Sequence, residues 1–203
     1  MSRHIGYLFI APAFVILFFT SIYPVAFSFY FSFFDWNWGN QENFIGLDNY
    51  LFLLTDPEFW TVIYNTFVFA SVSCFLEVTI GIILAIFVDR IVFCSTVIRT
   101  ILILPLMVSG IIVSMISKIM FNNLFGVIPY GLKQIDIRSS FFGSTEAAMP
   151  TLIGVDVWWQ TSFVFIIILA ALQGIPNDTV EAAKIDGASE WDITRFIRLP
   201  LIK

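Results

Sequence analysis

An all-α, polytopic membrane protein is the fold class this sequence predicts. Three observations predict it: 59% of the 203 residues are apolar, only 12% are charged, and the apolar residues gather into long uninterrupted runs. A soluble domain carries about 25% charged residues, so this chain lacks the polar surface to cover itself in water and belongs in a bilayer. Its net charge of −5 is spread along the chain without a basic tract, which gives nucleic acid nothing to hold. Cys74 and Cys94 lie in or beside apolar segments at no metal-ligand spacing; they read as packing residues, and no metal site is expected.

The first apolar run continues from Ile5 to Phe34 without a charge, far beyond the roughly 7 to 15 residues of a signal-peptide core. It predicts a transmembrane helix over about 6–33, with Pro12 and Pro24 kinking it or marking its ends. Further spans are predicted over about 60–87, 98–121 and 149–172, each bounded by clusters of charge and turn residues. Segment 34–59 carries Asp35, Glu42, Asp48, Asp56 and Glu58 but no lysine or arginine, whereas the short connection after the second span holds Arg90 and Arg99. Short cytoplasmic loops retain Lys and Arg. Arg3, Arg90, Arg99, Lys184, Arg195, Arg198 and Lys203 then fall on the cytoplasmic side, with Lys133 and Arg138 as the exceptions. The N-terminus is accordingly cytoplasmic, loops 34–59 and 122–148 are extracytoplasmic, and segment 173–203 is cytoplasmic. Trp36, Trp38, Tyr50 and Trp60, at the outer ends of the first two spans, fit an interfacial aromatic belt.

The last segment is polar, and its signals describe two short helices joined by a turn. Pro176 stops the fourth span, Asp178 suits an N-cap with Glu181 three residues on, and Glu181-Ala182-Ala183-Lys184 is strongly helix-forming. Gly187 suits the left-handed position after a helix end. A second helix begins at Ser189, with Glu190 and Asp192 in its first turn, Arg195 and Arg198 in its last, and Pro200 ending it. Ile185, Ile193, Phe196 and Ile197 form an apolar side expected to face the chain's own spans. The opposite side is left for a partner, or for solvent if the loop simply lies on the membrane.

The spacing Glu181-Ala182-Ala183, three residues, Gly187, nine residues, Ile197, one residue, Leu199-Pro200 resembles the EAA signature of the membrane-spanning subunits of bacterial ABC importers at every fixed position. The opening YLFIAPAFVILFFTSIYPVAFSFYFSFFDW and FIGLDNY are similar to the first helix and following loop of the maltose-type carbohydrate permeases. FWTVIYNTFVFA, RTILILPLMVSGIIVSMISKIMFNNLFGVI and DVWWQTSFVFIIILAALQGIPNDTVEAAKIDGAS resemble their later core spans. Two departures stand out: Ser117 and Lys118 occupy a region where that family often has tryptophan, and the chain ends at Lys203 where the family continues through further helices.

The resemblance implies a permease subunit that forms half of the translocation pathway for a carbohydrate in the bacterial cytoplasmic membrane. It implies a second homologous permease subunit, two cytoplasmic ATPase subunits and an extracytoplasmic solute-binding protein as partners. It also assigns ATPase coupling to Glu181, Ala182, Ala183, Asp186, Gly187, Ile197, Leu199 and Pro200. ATP and Mg would be held by the partner, and no cofactor by this chain, which has no Gly-rich Lys-Ser/Thr phosphate loop. An importer for peptides or polyamines, or a truncated membrane anchor without transport activity, is the alternative.

Intramembrane polar groups are costly and are read as functional by default. Asn65, Glu77, Asp156 and Gln160 are therefore substrate-pathway candidates, and Trp158 and Trp159 offer aromatic faces to sugar rings. Each has a plainer reading: Glu77 pairing with Arg90 or Arg99, Asp156 with Lys118, Asn65 in an interhelical hydrogen bond, and the tryptophans in packing. A membrane enzyme is disfavoured, because His4 is the only histidine and no nucleophile-base or paired-carboxylate pattern is present.

Overall fold

A computed structural model describes residues 3–37, 43–91, 94–135 and 140–202. Trp38, Glu42, Arg138 and Lys203, used in the sequence reading of loops and topology, lie outside the described residues. The chain divides into two compact units, Met1–Asn65 and Thr66–Lys203.

In the first unit, α1 (Arg3–Leu17) continues through a π-helical turn, Phe18–Ile22, into α2 (Tyr23–Phe31). Proline lacks an N–H and crowds the carbonyl four residues back. The chain answers at Pro24 by widening one turn, so that the Tyr23 N–H bonds the carbonyl of Phe18. A two-residue antiparallel pair, β1 (Phe34–Asp35) and β2 (Asn43–Phe44), follows, with Phe34 opposite Phe44. Asn49, in α3 (Asp48–Thr55), donates to the carbonyls of Ser32 and Phe34 at 2.9 and 3.1 Å, and Tyr50 bonds Ser32 at 2.6 Å. The expected belt aromatics are anchored here: Trp36 packs on Phe27 and Phe31, and the Trp60 indole donates to the Leu54 carbonyl at 2.9 Å.

The second span is α4 (Pro57–Arg90), longer at both ends than predicted, and the fourth is α8 (Thr145–Gln173). Within the second unit these two pack along a stripe of α4 in which Ser73, Gly81, Ala85 and Val88 are buried. Ala85 and Val88 meet Phe165, Leu169 and Leu172 of α8 in the main apolar cluster. Lipid tails are as apolar as leucine, so the drive here is close packing, which small residues permit. A Cβ on Gly81 would lie 2.6 Å from Val164 Cγ1 and 3.3 Å from the Phe165 amide nitrogen.

The third span is not the continuous helix predicted over 98–121. It runs as α5 (Ser95–Ile103), a 3-10 turn at Leu104–Met107, an extended Ser109, and α6 (Gly110–Met120), with a bend of 92° at the break. Pro105 lies inside the 3-10 turn and withholds one N–H from the helix there. Among the described residues, three helices are long and apolar enough to cross a membrane, or four when the broken pair is one span. α7 (Val127–Gln134) follows α6. Cys74 and Cys94, expected to be packing residues, are both exposed on this chain.

Gly81→Ala is expected to force α4 and α8 apart and to cost about 1–3 kcal/mol, the usual range for overpacking a tight contact. Thermal unfolding of the purified protein in detergent, followed by far-UV circular dichroism, measures the shift; an unchanged midpoint would contradict the packing described.

Candidate functional site

The polar segment folds as the helix signals require, with local corrections. α9 (Asn177–Ile185) ends at Asp186, and Gly187 takes φ +85°, the left-handed conformation that turns the chain. The amides of Gly187 and Ala188 bond back to the carbonyls of Lys184 and Ala183, closing the helix end. α10 (Glu190–Ile193) starts from a complete capping box. The Asp192 amide donates to Ser189 Oγ at 3.2 Å, and the Ser189 amide donates to Asp192 Oδ2 at 3.1 Å. The capping box expected between Asp178 and Glu181 does not form: Pro176 is the N-cap and Asp178 lies inside the first turn of α9, where its charge still complements the helix dipole.

Beyond α10 the helix passes through a π turn, Thr194–Arg198, into α11 (Leu199–Leu201). The cause matches that at Pro24: Pro200 cannot donate, and the Leu199 N–H instead bonds the Thr194 carbonyl.

The expected apolar side is only half correct. Ile193 is fully buried and Ile197 half-buried, but Ile185 is 86% exposed and Phe196 65%, and Trp191 joins them at 68%. Ile185 closes the first helix just before the turn, and the wider π turn rotates Phe196 off the face that Ile193 occupies. The exposed surface of the loop thus combines Glu181, Ala182, Ile185, Asp186 and Trp191, while Ala183, Ile197 and Leu199 are half-buried and Pro200 is exposed.

Behind that surface lies a charged junction that sequence spacing did not reveal. Lys184 Nζ sits 3.0 Å from Glu190 Oε1, while Arg90 Nη2 and Arg198 Nη1 each lie 3.8 Å from Glu190 Oε2. Arg198 also pairs with Asp89 at 3.8 Å, and Arg90 donates to Thr194 Oγ1 at 2.8 Å. Lys184, with Arg198 and Arg90 adding, holds the Glu190 carboxyl below its ordinary range; the Ser189 hydroxyl and amide do the same for Asp192.

Of the intramembrane candidates, Glu77 and Asp156 are half-buried and interact directly with each other across α4 and α8. Neither meets the arginine or lysine expected of it. Gln160, half-buried, lies one helical turn from Asp156 on the same face. Asn65 is exposed on α4, within the first unit. The two tryptophans separate as adjacent helical residues must. Trp158 lines an apolar cavity of about 600 Å³ with Val113, Met120, Phe141 and Gly154. Trp159 is taken up by the fold: its indole donates to the Val108 carbonyl at 3.1 Å, and a Cβ on Gly110 would lie 2.9 Å from its ring. Trp159 thus satisfies a carbonyl that the break in the third span leaves free.

Long apolar helices, one of them broken, carrying a polar helix-turn-helix at the ends of α4 and α8, define a polytopic transporter-type membrane subunit. Residues 77–203 match the binding-protein-dependent transport system inner membrane component family. The chain belongs to that family and, with its several apolar helices, is a multi-pass inner-membrane protein. It is 36% identical to the probable starch degradation products transport system permease protein AmyD of Thermoanaerobacterium thermosulfurigenes, over 97% of this chain and 67% of that protein. It is 33% identical to the trehalose/maltose transport system permease protein MalF of Thermococcus litoralis, over 98% of this chain and 68% of that one. This chain therefore spans about two thirds of the length of these relatives. Its structure is also similar to a chain of a bacterial ABC transporter that imports the acidic polysaccharide alginate. That match has a TM-score of 0.84 and 25% identity, and covers 98% of this chain and 68% of the other.

Trp159→Phe keeps the ring and removes the donor. The Val108 carbonyl then goes unpaired, at an expected cost of about 1–3 kcal/mol, read from the unfolding midpoint in detergent. A pH dependence follows from the lowered carboxyls of Glu190 and Asp192. Their contribution is full above the ordinary carboxylate range and is lost as pH falls through their depressed values. Protection factors of the 184–194 amides, taken relative to intrinsic exchange at each pH, should therefore fall on acidification through and below that range, and a flat profile would contradict the charged junction.

Proposed function

We propose that this chain forms half of the translocation pathway of a carbohydrate importer and that its helix-turn-helix is the lever on which the ATPase subunits act. The single observation that carries the reading is the geometry of the loop around Gly187. Two capped helices meet at a left-handed turn and present Glu181, Ile185 and Trp191 outward. Such a surface offers an acidic contact for a basic groove and two apolar knobs to fill it. Ala182 and Ala183 keep the docking face shallow, while Asp186 and Gly187 set the angle between the helices and Ile197, Leu199 and Pro200 join the second one to the chain beyond.

In this reading the N-terminus and the loop are cytoplasmic, and ATP and Mg are bound by two partner ATPase subunits. A second homologous permease subunit completes the pathway, and an extracytoplasmic binding protein delivers the solute. The sugar class is supported by the relatives named for starch degradation products and for trehalose and maltose, and by the alginate importer of similar fold. Glu77, Asp156 and Gln160 supply a polar patch suited to hydroxyl groups, with Asn65 a further candidate; Trp158 offers the apolar face that sugar rings require. Trp159 serves the pathway indirectly, by fixing the break in the third span.

Gly187 has open space around it, so only its backbone conformation resists substitution. Gly187→Pro cannot adopt positive φ; it is expected to leave the protein inserted while the ATPase dissociates or hydrolysis uncouples from transport. Pull-down of the ATPase and solute uptake in proteoliposomes of the full complex test this, and normal values for both would sink the reading.

A further inference from the structure

Resting on that reading, we infer that Glu190 is a positioning residue for energy coupling: its carboxylate ties the coupling loop to the end of α4, so that loop motion reaches two spans. Covalently, the loop joins α8 through Gly174, Ile175 and Pro176. Its polar links to α4 run through Arg90 and Asp89, and three of the junction's ion pairs meet on one carboxylate. The Glu190 carboxylate receives Lys184 from α9, Arg90 from α4 and Arg198 from the π turn, on three separate elements. Arg90 adds two bonds to the same helix, to Thr194 Oγ1 at 2.8 Å and to the Glu190 carbonyl at 3.4 Å. Arg198 carries the link back to α4 through Asp89, with both of these side chains more than four-fifths buried.

The arrangement is a hub. Three cations converge on one carboxylate, so neutralising Glu190 removes three pairings together and leaves Lys184, Arg90 and Arg198 repelling one another. The wiring also has a direction: Lys184 belongs to the helix that presents Glu181 and Ile185, whereas Arg90 and Asp89 belong to a span. A push on α9 is therefore delivered through Glu190 to α4, the same helix that carries Glu77 against Asp156. A half-exposed ion pair contributes little to stability, and Glu190 remains 45% exposed, so the hub orients more than it stabilises.

The test uses the full transporter, with both permeases, ATPases and binding protein, reconstituted in proteoliposomes. In Glu190→Gln the ATPases should still co-purify, while solute imported per ATP hydrolysed falls about fivefold or more, the lower end of typical coupling between sites. Glu190→Asp, which keeps the charge, should recover part of the ratio. Spin labels at Ile91→Cys and Thr179→Cys, in a background lacking Cys74 and Cys94, report the α4-to-α9 distance. Wild type should show one narrow distribution that moves with nucleotide, and Glu190→Gln a broad one. An unchanged ratio with a narrow distance in Glu190→Gln overturns the proposal while leaving the transporter reading intact. If the wild-type chain neither binds an ATPase nor supports uptake, the transporter reading itself fails, and the hub with it.

Discussion

In a bilayer every backbone N–H and C=O must be satisfied inside the protein, because no water is there to do it. That constraint bears on the places within the spans where this chain departs from plain helix. At Pro24 a donor is missing, and the helix widens by one residue so that the amide just before the proline reaches five residues back; Pro200, in the polar loop outside the spans, draws the same response from its missing N–H alone. At Pro105 the helix gives way to a 3-10 turn and then to a break, and the Val108 carbonyl would be stranded without the Trp159 indole. The cost of an irregular backbone is met locally, by a side chain from a neighbouring helix.

The same logic separates the two adjacent tryptophans. Residues next to each other on a helix point about 100° apart, so one can be committed to structure while the other stays available. Trp159 packs on Gly110 and holds the break, and Trp158 lines the apolar cavity beside it. The cavity that Trp158 lines is nonetheless apolar and does not include Glu77 or Asp156, so the cavity and the polar patch are separate features of the second unit.

Much of this was legible in the sequence, for physical reasons. Uninterrupted apolar runs gave the helices of the first, second and fourth spans, since length and hydropathy leave few other solutions. Gly187 and Ser189 announced the turn and the second helix through chemistry that acts within four residues. What failed was what depends on distant partners. The break in the third span needed more than Pro105, because prolines inside α1 and α8 are tolerated. Glu77 was read against the cations nearest in sequence, but its partner is Asp156 on another helix. The exposure of Phe196 was missed because the periodicity assumed a regular helix, and the π turn before Pro200 shifts the phase; that of Ile185 was missed because it closes the first helix just before the turn.

The charged junction was the least legible feature, although all of its residues are visible as charges. Arg90 reads as a charge at the end of a span, Lys184 as part of a helix-forming run, and Glu190 and Arg198 as helix-dipole complements, each a sufficient local explanation. Only the fold shows that these local roles coincide at one point. A helix-turn-helix with an exposed apolar edge needs something to hold its other side in register. Here Ile193 anchors it by burial, and the ion pairs fix its rotation about that anchor. An apolar contact alone would let the helices slide, since dispersion has little angular preference; hydrogen bonds and ion pairs at fixed positions do not. A loop that must transmit force while remaining solvated at its tip is therefore best held by both, apolar burial for attachment and charge for orientation.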